Sequence, residues 1–391
     1  MNRTAENVVL TIVATLVCLG LAAISGRTAM NGGLGEDGAL YQAMAVNHDL
    51  QAAPAVKKLA PAFPLAAAIG YAATGNIVSS FFLVNVMAFV VLTFAACWTL
   101  DLAGAPLGVK VATAATLALL GHPSLTGIYD PGQPYLLGVA LLALAIAAAE
   151  WSSGVLTAVL QIGATFASPV GIVAPLYGMW RHWRARRPAA MLVVYAPALL
   201  VWLAVQYWAR GGAAGLVDLM RISRVRSDAA FWAESVFILY AIYFLVTSLG
   251  GLTLLLWSSP RRLRDALTSR PELLALVIPV IPFLATGGLD VPRIITFLLP
   301  FWFFLIAAWG RDNSARLMVP LALAIVLTLV TQHPWTRITD TSYFVDWFPY
   351  SVAAGRVNVT DAGFDPTWRI RILIAAAGVA AFVAWRRALA R

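Results

Sequence analysis

An adjacent acidic pair, Glu36 and Asp37, follows a glycine-rich run near the start of the chain. A carboxylate in such a loop can act as a general base toward a hydroxyl group, or it can bind a metal ion. Tyr41 lies four residues after Asp37, so both side chains share one face if a helix begins between them. Asp37 also precedes the run GALYQAM and is a residue type that caps helices. The sequence alone leaves both interpretations, base and cap, open.

A second polar group lies in the segment 122–134, which reads HPSLTGIYDPGQP. His122 and Asp130 are residue types that transfer protons, and Tyr129 and Gln133 can hydrogen-bond a polar ligand. The run Asp-Pro-Gly also favours a turn. A histidine at a membrane surface is as often a packed, hydrogen-bonded residue as an acid–base group. Catalytic, ligand-binding and structural roles therefore remain alternatives for this segment.

Three arginines are candidates for holding a negatively charged group. Arg293 follows GGLDVP at the start of an apolar helix, and Arg221 and Arg224 lie in the segment 209–230. A guanidinium binds phosphate through charge-assisted, often bidentate hydrogen bonds. The alternatives are snorkelling at a helix end for Arg293 and ordinary solvated charge for the other two.

The composition identifies the environment in which these residues must be positioned. The chain has 391 residues, of which 61% are hydrophobic and 12% charged, and its mean hydropathy is +0.80. Soluble domains are about half apolar and about a quarter charged, so that class is excluded. Apolar stretches long enough to span a bilayer recur from end to end, and no polar stretch reaches the size of a soluble domain. We therefore predict an all-α, polytopic membrane protein that forms one integral-membrane domain over residues 1–391.

We predict about 12 membrane-crossing helices in this chain. They lie near residues 7–25, 76–99, 106–121, 134–150, 154–166, 170–180, 189–208, 231–257, 271–288, 293–310, 316–332 and 370–386. We interpret residues 154–180 as two short helices broken at Ser168-Pro169, and residues 61–75 as a re-entrant or surface-lying segment.

The orientation follows from the basic loops. Four short Arg-rich segments, 181–187, 258–270, 311–316 and 385–391, are expected on the cytoplasmic side, which places both termini there. The net charge of +9 is explained by these loops, so no nucleic-acid partner is expected. All the candidate residues above then fall on the outer side. The predicted spans contain almost no ionisable residues, which disfavours an ion-coupled transporter.

The candidate segments resemble elements of the GT-C superfamily of integral-membrane glycosyltransferases. GEDGALYQAM at 35–44 is similar to the family's first outer loop with its acidic residue, and 57–75 resembles its outer juxtamembrane helices. The segment 128–150 is similar to a second outer loop of the mannosyltransferase-like and aminoarabinose-transferase-like branches. DVPRIITFLLPFWF at 290–303 resembles the family's outer arginine before a proline-containing helix. The segment 164–176 lacks the lysine that those branches carry before a proline.

The likeness is best over residues 1–190, which would form the shared module of that superfamily, with 191–391 as variable helices and 333–369 as an outer loop. It implies transfer of a monosaccharide from a polyprenyl-phosphate donor to a lipid or glycan acceptor, with inversion. Asp37 would be the general base, with Glu36 as the alternative. Arg293, helped by Arg221 or Arg224, would hold the phosphate.

The remaining candidates would bind the donor or the acceptor; these are Tyr41, His122, Tyr129, Asp130 and Gln133. No cofactor is required and no metal-ligand set is assigned, although Glu36 and Asp37 have the chemistry to hold a divalent metal ion. The expected location is the inner (plasma) membrane of a bacterium. The alternatives are a carrier or flippase of lipid-linked sugars, a polymerase or ligase of lipid-linked oligosaccharides, and a non-catalytic scaffold.

Overall fold

A computed structural model describes residues 3–26, 28–35, 37–47, 58–120, 124, 126–152, 154–212, 248–257, 260–286, 291–313, 317–332 and 380. Helices and short connections account for these residues, and no β-strand occurs among them. Four helices in the described part are long and apolar enough to cross a membrane: Arg3–Ile24, Ile77–Leu102, Pro188–Ala209 and Arg293–Asp312. The all-helical prediction is thus confirmed for the described residues, and these apolar helices fit a membrane protein, whereas the count of 12 crossings remains a prediction.

The main helices are numbered here in chain order. They are α1 (Arg3–Ser25), α2 (Gly38–Val46), α3 (Ala62–Thr74), α4 (Ile77–Leu102), α5 (Leu107–Leu119), α6 (Tyr135–Trp151), α7 (Val155–Ala167), α8 (Val173–Arg184), α9 (Ala196–Ala209), α10 (Gly250–Trp257), α11 (Pro260–Ser269), α12 (Val280–Thr286), α13 (Leu299–Asp312) and α14 (Met318–Gln332). Helices α4, α6 and α14 coincide with the predicted spans 76–99, 134–150 and 316–332. The predicted span 370–386 and residues 231–247 lie outside the described residues, apart from residue 380.

Helix α6 is the centre of the bundle and packs against α4, α7, α8 and α13. Its sequence, YLLGVALLALAIAAAEW, is apolar on every face, which is typical of a helix surrounded by other helices. Gly138 lets its neighbours come close, since a Cβ there would lie 3.0 Å from Ser168 and 3.2 Å from Phe297. Small residues allow the same close approach between helices in membranes.

The predicted break at Ser168-Pro169 is confirmed. Helix α7 ends at Ala167, a 3₁₀ turn covers Pro169–Ile172, and α8 begins at Val173. Two contacts satisfy polar groups at the break: Trp202 Nε1 donates to the Pro169 carbonyl at 2.8 Å, and Val170 N donates to Ser168 Oγ at 3.2 Å. Such internal partners are what irregular backbone needs inside an apolar environment.

The bundle has two ends, which we name from their carboxylates. The Asp37 end carries Asp37 and Asp130, and the Glu150 end carries Glu150 and Glu272. Helix α3 has 13 residues, or about 20 Å at 1.5 Å per residue, which agrees with the prediction that 61–75 is too short to span a bilayer core of about 30 Å.

Candidate functional site

The glycine-rich loop before α2 has a left-handed backbone at most of its residues. Asn31, Gly32, Gly33 and Gly35 have φ values of 51°, 67°, 90° and 84°. Asn31 Nδ2 donates to the Gly35 carbonyl at 2.8 Å, which closes the loop on itself. This conformation strongly favours glycine and tolerates asparagine, so the unusual composition of the run has a direct structural cause.

Asp37 occupies the N-cap position of α2, but its side chain makes no capping hydrogen bond. Its backbone carbonyl accepts from Leu40 N at 3.1 Å and from Tyr41 N at 3.4 Å, so the helix begins without using the carboxylate. The residue is half-buried. The structure therefore places Asp37 at the capping position, but its carboxylate does not form the capping hydrogen bond.

The loop around Gly35 packs directly against the segment that carries Asp130. Thr28 N donates to the Tyr129 carbonyl at 3.1 Å across the two segments. A Cβ at Gly35 would overlap the Asp130 carboxylate, and a Cβ at Gly132 would overlap the backbone of Leu34 and Gly38. The first and second polar segments, about 95 residues apart in sequence, are therefore one structural unit at the Asp37 end.

The second segment forms the turn that its Asp-Pro-Gly run predicts. Gln133 N donates to the Asp130 carbonyl at 3.2 Å, and Gln133 Nε2 donates to Asp130 Oδ2 at 2.9 Å. Both side chains are buried. Asn85 of α4 holds the turn in place, because its Nδ2 donates to the carbonyls of Gly127 at 2.7 Å and Pro131 at 2.9 Å. The turn role of Asp130 is confirmed, and the same turn buries its carboxylate against the first loop.

Arg293 reaches the same end from the C-terminal half of the chain. Its guanidinium carbon lies 5.1 Å from the ring centroid of Tyr135, which is the first residue of α6 and follows Gln133-Pro134. Arg293 is buried, with 5% of its surface exposed. A buried guanidinium over an aromatic face is held in a fixed orientation by the cation–π interaction.

The two tyrosines that were predicted to bind a ligand are packed against other parts of the protein. Tyr41 is 2% exposed, and its ring makes an edge-to-face contact at 5.4 Å with Phe63, which in turn stacks on Phe81. Tyr129 is 1% exposed. The ring of Tyr41 therefore packs α2 against α3. Glu36, His122, Arg221 and Arg224 lie outside the described residues, as does the loop 333–369.

Two ionic clusters at the Glu150 end were not foreseen from the sequence. In the first, Lys110 of α5 binds Asp101 at 2.8 Å and Glu6 at 3.0 Å. In the second, Glu150 accepts from Arg181 at 2.8 Å and Arg270 at 2.9 Å, while Glu272 accepts from Arg184 at 2.7 Å and Arg270 at 3.0 Å. A single lysine within an apolar helix was the available signal for the first cluster. The second cluster joins residues that are far apart in sequence, so no local pattern indicates that they pair.

His182 lies beside the second cluster, in the basic segment 181–187. Burial, and then the charges of Arg181 and Arg187, lower the pKa of His182, so the neutral imidazole is favoured. Its ring centroid lies 5.3 Å from that of Tyr195. This histidine is therefore a packing residue at neutral pH.

Within the described part of the chain, no group of three or more His, Cys, Asp or Glu residues is arranged to hold a metal ion. No family model, curated protein or solved structure matches this chain. The Asp37 end, where the first and second polar segments meet, is the candidate functional site.

Proposed function

We propose that this protein is a GT-C-type integral-membrane glycosyltransferase that moves a monosaccharide from a polyprenyl-phosphate donor to a lipid or glycan acceptor. The observation that carries the proposal is the packing of Gly35 against Asp130. That contact brings the loop of Asp37, a carboxylate with no capping role, against a buried Asp–Gln pair, and the buried Arg293 lies over Tyr135, two residues after Gln133. A base, polar donors and a cation are the groups that transfer from a phosphate-linked sugar needs.

In this reaction, Asp37 removes the proton from the acceptor hydroxyl as its oxygen attacks the anomeric carbon. The bond between that carbon and the phosphate oxygen breaks, and polyprenyl phosphate leaves with the bonding electron pair. Arg293 stabilises the negative charge that grows on the phosphate. A single displacement with no covalent intermediate inverts the anomeric configuration.

Asp130 and Gln133 have a different part in the proposal. Because both are buried and Asp130 fills the space beside Gly35, they position the first loop and Asp37 with it. Glu36, His122, Arg221 and Arg224 remain sequence-based candidates for the same site. The site would face the outer side of a bacterial inner membrane, with both termini in the cytoplasm.

The test compares envelope glycolipids and glycans by mass spectrometry in cells that lack the gene. The deletion is complemented with wild type, Asp37→Asn or Asp265→Asn, each at matched membrane abundance. Asp265 is an exposed carboxylate on α11 and provides the control for loss of one negative charge. We expect a missing sugar that wild type and Asp265→Asn restore and Asp37→Asn does not, together with accumulation of the intact donor.

Full restoration by Asp37→Asn would exclude the catalytic assignment. It would favour a carrier of lipid-linked sugars, which needs the arginines and not a base. A deletion strain with an unchanged glycan profile would exclude both functions.

A further inference from the structure

Helix α11 is a short, basic, amphipathic helix at the Glu150 end. Its sequence, PRRLRDALTS, places Leu263, Ala266 and Leu267 against the apolar core. Arg261 and Arg264 are exposed on its other side. Because the apolar face packs against the core, the arginine-bearing face is left exposed at the Glu150 end.

The chain bends sharply after α11. The helical segment Leu263–Ser269 meets the following segment, Pro271–Leu284, at 101°. The following segment leads away from the Glu150 end toward Arg293 at the Asp37 end. Helix α11 therefore lies nearly perpendicular to the segment that follows it.

A cavity of about 250 Å³ opens between α11, α13 and the turn after α4. Arg311, Arg270 and Ser269 contribute its polar groups, and no carboxylate lines it. Leu102, Leu273 and Phe304 contribute apolar surface. A neighbouring cavity of about 270 Å³ shares Arg311 and is lined by Asp265 and Asp312 as well. An anionic group therefore fits the first cavity and is disfavoured in the second.

Among the described residues, the arginines at this place differ in whether a carboxylate pairs with them. Arg270 is neutralised by Glu150 and Glu272. By contrast, no ion pair joins Arg261, Arg264 or Arg311 to another of the residues that the structure describes. Arg311 lines the first cavity together with apolar side chains, and Arg261 and Arg264 are exposed on the adjoining helix α11 without lining it. This combination matches a ligand that has a phosphate attached to an acyl chain.

We propose that the Glu150 end binds the phosphate head group of an anionic phospholipid. Arg311 contacts the phosphate at the cavity, Arg261 and Arg264 attract the anionic leaflet from the exposed side of α11, and the apolar wall receives the start of an acyl chain. The site is separate from the Asp37 end and does not depend on the proposed function. It would fix the depth and orientation of the bundle in the leaflet that α11 faces.

Native mass spectrometry of the purified full chain tests this site. The protein is mixed with phosphatidylglycerol or with phosphatidylcholine of identical acyl chains, and retained lipids are counted. We expect wild type to retain phosphatidylglycerol preferentially. In Arg261→Gln/Arg264→Gln we expect that preference to fall about 30-fold, on the basis of about 1 kcal/mol for each of the two basic residues near an anionic surface. Arg311→Gln alone should lower it in the same direction.

The matched control is Lys58→Gln/Arg210→Gln, which removes the same charge away from the Glu150 end and should keep the wild-type preference. Equal losses in the control and in the α11 variant would overturn the proposal, because the preference would then reflect net charge. Unchanged retention in Arg311→Gln would also overturn it. A third arm adds glycerol 3-phosphate as competitor: we expect it not to displace the lipid, and complete displacement would instead assign the site to a free phosphate.

Discussion

Gly35 is the residue on which the geometry of the candidate site depends most closely. Its φ of 84° requires a left-handed backbone, and the space where a Cβ would lie is filled by the Asp130 carboxylate. Gly32 shares the first property, with a φ of 67°, but has open space around it. Substitutions at the two glycines therefore distinguish the effect of backbone strain from the effect of the contact with Asp130.

We predict that Gly35→Ala reduces sugar transfer at least tenfold and that Gly32→Ala retains most of it. Both substitutions incur the left-handed strain of about 1–2 kcal/mol. Only Gly35→Ala pushes the first loop away from Asp130 and moves Asp37. The measurement is the amount of restored glycan per unit of membrane protein in the complemented deletion strain. Equal activities for the two variants would mean that the contact with Asp130 does not position the base.

At this scale, local signals were predictable and long-range contacts were not. The N-cap position of Asp37 and the turn at Asp130 follow from short runs of residue types, and both are found. The contact between Gly35 and Asp130 joins residues from separate segments, and no local pattern encodes it. The burial of Tyr41 beside Phe63 was missed for the same reason.

At the scale of elements, Asn85 links α4 to the second polar segment. Its side-chain amide supplies hydrogen bonds to two buried backbone carbonyls, those of Gly127 and Pro131. Nothing in the sequence of α4 distinguishes this asparagine from one that faces another helix. The element that holds the turn was therefore not predictable, although the turn itself was.

We predict that Asn85→Ala lowers the free energy of unfolding by about 2 kcal/mol, because two buried carbonyls lose their donor. Amide hydrogen exchange should rise in residues 127–133. The control is Asn76→Ala at the start of the same helix, where the side chain accepts from Ser79 N and is exposed. That variant should cost about 1 kcal/mol and leave exchange in 127–133 unchanged. Exchange that rises equally in both variants would contradict a specific link through Asn85.

At the scale of the whole molecule, Glu150 joins three parts of the bundle. It is the last-turn carboxylate of α6, and its partners are Arg181 and Tyr177 of α8 and Arg270 before the 3₁₀ turn Pro271–Leu276. The basic segments that the sequence assigns to membrane orientation thus also bind carboxylates. Charge counting predicts on which side such arginines lie, whereas their partners depend on how the helices pack.

We predict that Glu150→Gln lowers the free energy of unfolding in detergent by about 2–4 kcal/mol, because two guanidinium groups lose their counter-charge. Glu272→Gln is the matched variant. It should cost less, since its partner Arg184 has 47% of its side chain exposed and water can replace the lost contact. Melting temperatures of the purified variants provide the measurement. Equal stability of wild type and Glu150→Gln would show that the cluster does not hold the helices together.

The central claim is that Asp37 acts as the base for sugar transfer. The most direct test is the initial rate of transfer in membranes that contain wild type or Asp37→Asn, with the donor that accumulates in the deletion strain as substrate. We predict a rate at least about 100-fold lower for Asp37→Asn at equal protein abundance, which is the usual contribution of general-base catalysis. A rate equal to that of wild type would contradict it.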